Sequence, residues 1–289
     1  MKLVHYQDPV EFQEITRKFL LQNEAENNLP IGILASIISG EYLEKTPYMG
    51  LLEENGTPFL VMMCTPPYPV LFTYQEIPPS RDVLSYVLKD LSEKLGEDFT
   101  GITGNKILSA ELVRIWKDMT GQLADTKIAM RIFKLDQVNP VRDVPGNIRP
   151  VIEEDKELLL MWYANFLRDT SGEEPDPARA EKQIVRYLSS DPLLRGLMIW
   201  EVYGKPVSMA GYSGPTSNGI RIGAVYTPED FRRRGYASAC TAALSQYLLD
   251  QGFKFCFLFT DLLNPTSNHI YKQIGYRPVC DVDRYDFEK

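Results

Sequence analysis

Three consecutive arginines followed by a glycine form the segment of this sequence with the clearest chemical meaning. The segment Arg232–Arg233–Arg234–Gly235 follows a short apolar stretch that Pro228 interrupts, and a helical pattern begins directly behind it. The first backbone N–H groups of a helix have no partner inside the helix, and they lie at the positive end of its dipole. A strand, a glycine-containing turn and a helix start therefore predict an anion site, for which a pyrophosphate is the fitting ligand.

A second segment with polar side chains follows the apolar run at 254–260. Asn264 is a favourable N-cap, Pro265 suits the first helical position, and Gly275 suits the end of the helix. The sequence thus predicts a buried strand that leads into a short helix, and this helix carries Tyr271. A phenol, with an ordinary pKa of about 10, can act as a proton donor.

The two segments together resemble the two signatures of the GNAT N-acetyltransferase superfamily. The acyl-CoA loop of that family reads Arg/Gln-x-x-Gly-x-Gly/Ala, and Arg232, Gly235 and Ala237 fill this pattern. The second signature places Asn-x-x-Ser/Ala after a strand, then a helical Tyr and a Gly-Phe/Tyr ending. It is matched by Asn264, Ser267, Asn268, Tyr271, Gly275 and Tyr276. The glycine patterns of Rossmann and P-loop proteins are absent from the loop.

The resemblance implies that acetyl-CoA is the co-substrate and that an amine attacks it directly in a ternary complex. It implies that the pantetheine arm lies along the backbone of Val225, Tyr226 and Thr227. The pyrophosphate would contact the next residues, which are Arg232, Arg233, Arg234, Gly235, Tyr236, Ala237 and Ser238. Asn264, Ser267 and Asn268 are the remaining coenzyme contacts, although Asn264 and Ser267 could instead only cap the helix. No metal ion is expected.

Tyr271 stands where the family keeps its general acid, and packing in the core is the alternative role for its ring. The general base stays open, because the strand at 219–224 offers no glutamate. Glu201, Asp261 and a water-mediated route are the alternatives. His269 projects from a different side of the helix than Tyr271, and we expect it at the surface.

The residues of both signatures belong to the C-terminal half of the chain. Two prolines and a glycine interrupt all periodicity at 139–147 and indicate a linker. We therefore expect an N-terminal α/β domain at 1–138 and a catalytic GNAT domain at 148–289. The fold class is α/β, with a mixed, mostly antiparallel sheet flanked by helices. The stretches 277–282 and 284–287 are expected to pair with each other as closing strands.

The N-terminal half follows the order helix, helix, three strands, helix, strand, helix, strand. That is the order of a GNAT domain without its first strand, which is consistent with two tandem GNAT-like domains. The segment where a phosphate loop would lie, 75–82, has no glycine and contains Glu76 and Asp82. We therefore expect a degenerate half that does not bind acyl-CoA.

Bulk properties exclude several classes of protein. The chain has 289 residues and a formal net charge of −8, which argues against a general nucleic-acid binder. No apolar run approaches the roughly 20 residues that cross a bilayer, and no signal-peptide core is present at the N-terminus. The cysteines are scattered without metal-ligand spacing and predict free thiols: Cys64, Cys240, Cys256 and Cys280. We expect a cytoplasmic monomer or homodimer.

The acceptor stays open among small amines, antibiotics, amino acids and protein amines. The loop at 170–177 contains Glu173, Glu174 and Asp176, which could attract an amine. The alternative is a solvated loop in which Asp176 caps the next helix. Acetyl transfer to a primary amine is the expected activity. The alternatives are a longer acyl donor, a hydroxyl acceptor, or a protein that binds acyl-CoA without catalysis.

Overall fold

The computed structural model of the chain describes residues 1–40, 45–75, 78–171, 174 and 176–288. The chain folds into two compact units. Unit 1 consists of 1–132, 260–264 and 279–289, and unit 2 consists of 133–259 and 265–278. The division at 139–147 into separately folding domains stays a prediction.

The N-terminal half begins with a short strand and two helices, followed by strands that alternate with two further helices. Asp8 accepts the Val10 N–H at 2.8 Å and starts the first helix. Asn55 and Gly56, both with positive φ, form the turn of the first hairpin. The elements are β1 (Lys2–His5), α1 (Pro9–Gln22), α2 (Asn28–Ile38), β2 (Tyr48–Glu54), β3 (Thr57–Cys64), β4 (Val70–Tyr74), α3 (Arg81–Leu95), β5 (Gly101–Asn105), α4 (Lys106–Thr120) and β6 (Ala124–Leu135).

The C-terminal half repeats this order. Asp176 accepts the Ala178 N–H at 3.0 Å, and Pro177 occupies the first turn of the helix that follows. The elements are β7 (Asn147–Pro150), α5 (Lys156–Ser171), α6 (Pro177–Ser189), β8 (Arg195–Val202), β9 (Lys205–Ser213), β10 (Gly219–Tyr226), α7 (Tyr236–Asp250), β11 (Phe255–Asp261), α8 (Pro265–Ile274) and β12 (Arg277–Phe287).

Strand pairing repeats together with the order of the elements. In the first half, β1–β2, β2–β3 and β3–β4 are antiparallel and β4–β5 is parallel. In the second half, β7–β8, β8–β9 and β9–β10 are antiparallel and β10–β11 is parallel. The mixed, mostly antiparallel α/β fold is thus confirmed, and the chain contains the same topology twice. The expectation that the N-terminal half lacks its first strand is wrong, because β1 pairs with β2.

The last strand of the chain also differs from the expectation. Residues 277–282 and 284–287 do not pair with each other, since β12 is one continuous strand without a turn. Within unit 1 it pairs antiparallel with β5, from Val282 opposite Asn105 to Asp286 opposite Gly101. A single Asp283 between the two apolar stretches does not supply the glycine or proline chemistry that a tight reversal needs.

Unit 2 buries two separate apolar clusters, on the two faces of β10. Ile220 and Ile222 belong to a cluster that contains Leu244 of α7. Ala224 and Tyr226 belong to another cluster, together with α5 and α6. We call the first of these the α7 face of β10 and the second the α5–α6 face.

Among the described residues no helix is long and apolar enough to cross a bilayer. All cysteines are free thiols, as expected from the sequence. Burial raises the pKa of each thiol, those of Cys64, Cys240, Cys256 and Cys280, to about 12. The reactive thiolate is therefore scarce at neutral pH.

The native protein is accordingly expected to react slowly with a chromogenic disulfide reagent at about pH 8, because the thiolate is the reacting species. After unfolding in urea, all 4 thiols should be titrated quickly. The absorbance change with and without urea measures the difference. Fast reaction of the folded protein would contradict the burial of these side chains.

Candidate functional site

The strands β10 and β11 separate halfway along β10. Their paired residues run from Gly219 opposite Phe255 to Ile222 opposite Leu258. β10 continues to Tyr226, but no further pairs with β11 exist in the described part of the chain. The backbone of β10 after Ile222 therefore has an open edge on the β11 side.

A β-bulge shapes this second half of β10. The register against β9 shifts between Gly223 and Tyr226, and Ala224 within the shift has a φ of 48°. The Tyr226 carbonyl turns towards β9, where it accepts the Ser208 hydroxyl at 3.0 Å. Backbone groups of successive residues in an extended strand point to opposite sides, so those of Val225 face the open edge. An extended ligand with amide groups can hydrogen-bond there.

The loop behind β10 presents a row of unused backbone N–H groups. Arg233 and Gly235 both have left-handed backbone, with φ of 63° and 80°. No described backbone carbonyl accepts an N–H of 233–238 with good hydrogen-bond geometry, and the first intrahelical bond of α7 runs from Ala239 to the Gly235 carbonyl at 2.9 Å. Such a concave row of N–H groups is an anion-binding nest, here reinforced by the dipole of α7. We call 233–238 the N–H nest.

Both the backbone conformation and the neighbouring side chain favour glycine at position 235. Its φ of 80° is one that side chains disfavour, and a Cβ at this position would lie 2.9 Å from Cγ2 of Val144. As the N-cap residue it offers no side chain to the first turn of α7. The N–H groups of that turn thus stay available to a ligand.

The side chains around the nest differ in their burial. Arg233 and Arg234 are exposed and bring two positive charges, whereas Ala237 and Ser238 are half-buried. The Tyr236 side chain is buried in the core of unit 2, so its backbone N–H is what it can contribute. The nest and its two cations offer the N–H donors and the positive charge that a pyrophosphate needs, and the pyrophosphate contact stays a prediction.

Arg232 lies on the other side of the loop. Its Nε donates to the Thr227 carbonyl at 3.0 Å, and its Nη2 donates to Asp169 Oδ2 at 2.6 Å. Its guanidinium carbon lies 5.9 Å from the centre of the Tyr226 ring. Arg232 thus braces the last turn of α5 against the end of β10. The pyrophosphate contact assigned to it stays a prediction.

Tyr271 lies in α8 within the same core cluster as Tyr236. Its ring is 9% exposed and meets the Tyr276 ring edge-on at 6.0 Å. Burial raises the pKa of Tyr271 to about 12, because the phenolate loses its hydration. The hydroxyl therefore keeps its proton over the whole neutral range. Core packing and proton donation, the two roles considered for this ring, are compatible with each other.

The other residues of the second signature are distributed over both units. Ser267 and Asn268 are half-buried at the start of α8, in unit 2. Asn264 is exposed and belongs to the segment 260–264 of unit 1. Each of the three makes contacts within the protein. Their assignment to the coenzyme stays a prediction.

The two carboxylates considered as general base are both engaged. Glu201 Oε2 accepts Arg149 Nε at 2.7 Å, and the same guanidinium also pairs with Asp155. Asp261 Oδ1 accepts the Leu263 N–H at 2.8 Å and holds the turn at 261–264. Neither arrangement singles out a proton acceptor for an amine.

The acidic loop before α6 is also engaged where it is described. Glu174 accepts two hydrogen bonds from Arg168, both at 3.0 Å, and Asp176 caps α6. Glu173 lies outside the described residues, as does Glu76 of the N-terminal half. The described acids of this loop thus neutralise or cap groups of the protein itself.

Sequence reasoning missed three residues of this region. Ser208 of β9 contacts the end of β10, and Asp169 of α5 contacts the loop behind it, both only through tertiary structure. Gly223 did give a signal, because a glycine inside a strand often marks a bulge or the close approach of a ligand. Among the described residues no three His, Cys, Asp or Glu side chains converge as a metal ion would require.

Residues 159–276 match the acetyltransferase (GNAT) family model. Three solved structures resemble nearly the whole chain. A Drosophila protein has a TM-score of 0.69 at 11% identity, with 99% of this chain and 98% of that chain covered. A GCN5-related N-acetyltransferase from Sphaerobacter thermophilus has a TM-score of 0.64 at 13% identity, with 98% of this chain and 94% of that chain covered. A tandem GNAT protein from the clavulanic acid biosynthesis pathway has a TM-score of 0.56 at 12% identity, with 99% of this chain and 97% of that chain covered. No curated protein matches the chain.

Residues 159–276 are therefore assigned to a GNAT acetyltransferase domain, and the N-terminal half repeats the element order and strand pairing of the C-terminal half without the two motifs. The match of this domain supports acyl transfer from an acyl-CoA as the general chemistry. The solved structures, at such low identity, support the fold.

Proposed function

We propose that the protein transfers an acetyl group from acetyl-CoA to a primary amine by direct attack in a ternary complex. The observation that carries this proposal is the N–H nest at the start of α7, directly behind the open edge of β10. Family membership makes an acyl-CoA the natural ligand of both features. We place the reaction in 148–289 and the protein in the cytoplasm as part of the same proposal.

The coenzyme would be held by backbone more than by side chains. The N–H nest binds the pyrophosphate, with added charge from Arg233 and Arg234. The backbone of 225–227 pairs with the amides of the pantetheine arm along the open edge. Ser208 fixes this stretch, because its hydroxyl also lies 2.8 Å from the Thr227 hydroxyl.

The reaction forms a C–N bond between amine and acyl carbon and breaks the C–S bond of the thioester. Tyr271 gives its proton to the departing thiolate sulfur, and solvent restores it afterwards. The amine must lose a proton to become a nucleophile, and we route this proton through water, since Glu201 is held by Arg149. Burial keeps the Tyr271 phenol protonated at neutral pH, so the proton is present when the thiolate departs.

The direct test is calorimetric titration of CoA and acetyl-CoA into the protein, followed by a thiol-release assay with a panel of amines. We expect binding of both ligands and release of CoA only when a suitable amine is present. Absence of CoA binding would contradict the proposal.

Tyr271→Phe is expected to lower kcat about 100-fold or more, since a general acid contributes factors of this size. The Kd for CoA should change less than about twofold, because phenylalanine keeps the ring contact with Tyr276. With a pKa of about 12, Tyr271 should cause no loss of wild-type activity as the pH rises from about 7 to 10. Unchanged kcat in the variant would favour a protein that binds acyl-CoA without using this acid.

A further inference from the structure

Gly223 leaves an opening in the α5–α6 face of β10. The residue is exposed although its strand lies between β9 and β11. A Cβ added to it would meet no described atom within 4 Å. Its φ lies outside the left-handed range, so the backbone here does not require glycine. A strand-interior glycine marks a bulge or the close approach of a ligand, and the open space above Gly223 is what such a ligand needs.

The polar groups beside this opening can be identified from the strand register. Gly223 lies opposite Gly211 of β9, so both positions share one face of the sheet. A Cβ at Gly211 would lie 3.0 Å from the Tyr187 hydroxyl, which therefore stands next to the opening. Arg221 projects to the same face of β10, about 7 Å away along the strand.

Among the described residues, positive charge prevails on this part of the face. Arg195 and Arg221 both lie opposite Ser213, in a line across the three strands. Burial raises the pKa of Tyr187, and both guanidinium groups oppose this rise because they are close to its hydroxyl. Both arginines already have contacts within the protein. A guanidinium has five N–H donors, with which it can donate hydrogen bonds to more than one partner.

The carboxylates of the neighbouring helix end do not offer a matching site for a cation. Asp169 is paired with Arg232, and Glu174 is paired with Arg168. Asp176 caps α6. A positively charged acceptor would therefore be repelled by two arginines. Each of the three carboxylates described at this helix end already has a partner within the protein.

The direction of approach follows from the two faces of β10. The N–H nest belongs to α7, which packs on one face, and the pantetheine arm would run along the open edge. An acceptor has to reach the thioester from the side that the coenzyme leaves free. That side is the α5–α6 face, where Gly223 provides the opening.

We propose that the acceptor amine binds over Gly223 on the α5–α6 face and carries a carboxylate that Arg221 binds. This inference rests on the proposed function and specifies its substrate class as small amino acids and related amino-carboxylates. Arginine binds a carboxylate with two parallel hydrogen bonds, which fixes the orientation of the amine as well. Gly223 and Arg221 are about 7 Å apart along the strand, a distance that the long Arg221 side chain can bridge towards a carboxylate bound over Gly223.

The test combines coenzyme binding with acceptor kinetics in matched variants. CoA is titrated into the wild type, Gly223→Val, Arg221→Gln and Arg221→Lys, and we expect Kd values within about twofold of each other. Thiol release from acetyl-CoA is then measured with free amino acids, their primary amides and spermidine. The wild type should use a free amino acid with kcat/KM at least about tenfold above that of its amide.

The variants separate the two parts of the inference. Gly223→Val should lower kcat/KM at least about tenfold at unchanged CoA affinity, because its side chain fills the opening. Arg221→Gln should remove the preference for the acid over the amide, and Arg221→Lys should retain part of it. Preference for amides or spermidine, no turnover of any amine, or loss of CoA binding in Gly223→Val would each overturn the inference. Failure of the wild type to bind CoA would contradict the proposed function instead.

Discussion

Gly235→Asp is expected to raise the Kd for CoA about 100-fold or more. The carboxylate would lie inside the N–H nest, where it accepts the same hydrogen bonds as the pyrophosphate and repels it. Two unit charges about 4 Å apart interact by about 4 kcal/mol near a protein surface, which is enough for this factor. Calorimetric titration of CoA at constant ionic strength measures the effect.

Gly235→Asn is the matched control, because asparagine has the same shape without the charge. Both residues adopt left-handed backbone more readily than other side chains. Both would also meet Cγ2 of Val144, at 2.9 Å from the new Cβ. We expect the Asn variant to lose about tenfold in affinity at most. Equal losses of CoA affinity in the two variants would mean that glycine occupies position 235 because of steric crowding, and not because of an anion site.

The fragment 148–289 is expected not to fold by itself, although this range was predicted to be the catalytic domain. The core cluster of unit 2 contains Phe133 and Leu135, both fully buried, and the fragment lacks both. Burial of such side chains stabilises by about 1.5–3 kcal/mol each, against a total of about 5–15 kcal/mol for a domain. The fragment also leaves β12 without β5, its partner in unit 1. Circular dichroism and thermal unfolding measure the outcome.

A fragment that begins at residue 124 includes β6, and it is the control for the loss of the two core side chains of that strand. It restores Phe133 and Leu135 but still lacks β5, so we expect partial recovery of structure. Co-expression of 1–138 with 139–289 should restore CoA binding, because all strands are then present. Cooperative unfolding and CoA binding by 148–289 alone would contradict this expectation.

The local features of the candidate site could be predicted from the sequence because their causes are local. A glycine with left-handed backbone before a helix, and a helix without a capping side chain, follow from residues close together in the chain. The strand-to-helix order around Tyr271 follows in the same way from apolar runs and helix-end residues. Gly235 and Tyr271 therefore lie in the elements that were expected for them.

The remaining features depend on residues far apart in sequence. The Arg232–Asp169 pair joins α5 to the loop behind β10, and no spacing pattern in the chain indicates it. The strand β1 is only 4 residues long, too short to show a period. The expected division of β12 at Asp283 is wrong, and this side chain is buried at 3% exposure. The extent of β1 and of β12 follows from the strands with which they pair, and not from their local sequence patterns.

The pairing of β12 with β5 has a consequence for how the protein is made on the ribosome. β5 is synthesised long before β12, and until then one of its edges has no partner. Domains usually mature one after another as the nascent chain emerges, but unit 1 cannot finish in this way. An unpaired strand edge also invites association with other chains. The nascent N-terminal half therefore exposes an unpaired edge of β5 until the C-terminal strand has been synthesised.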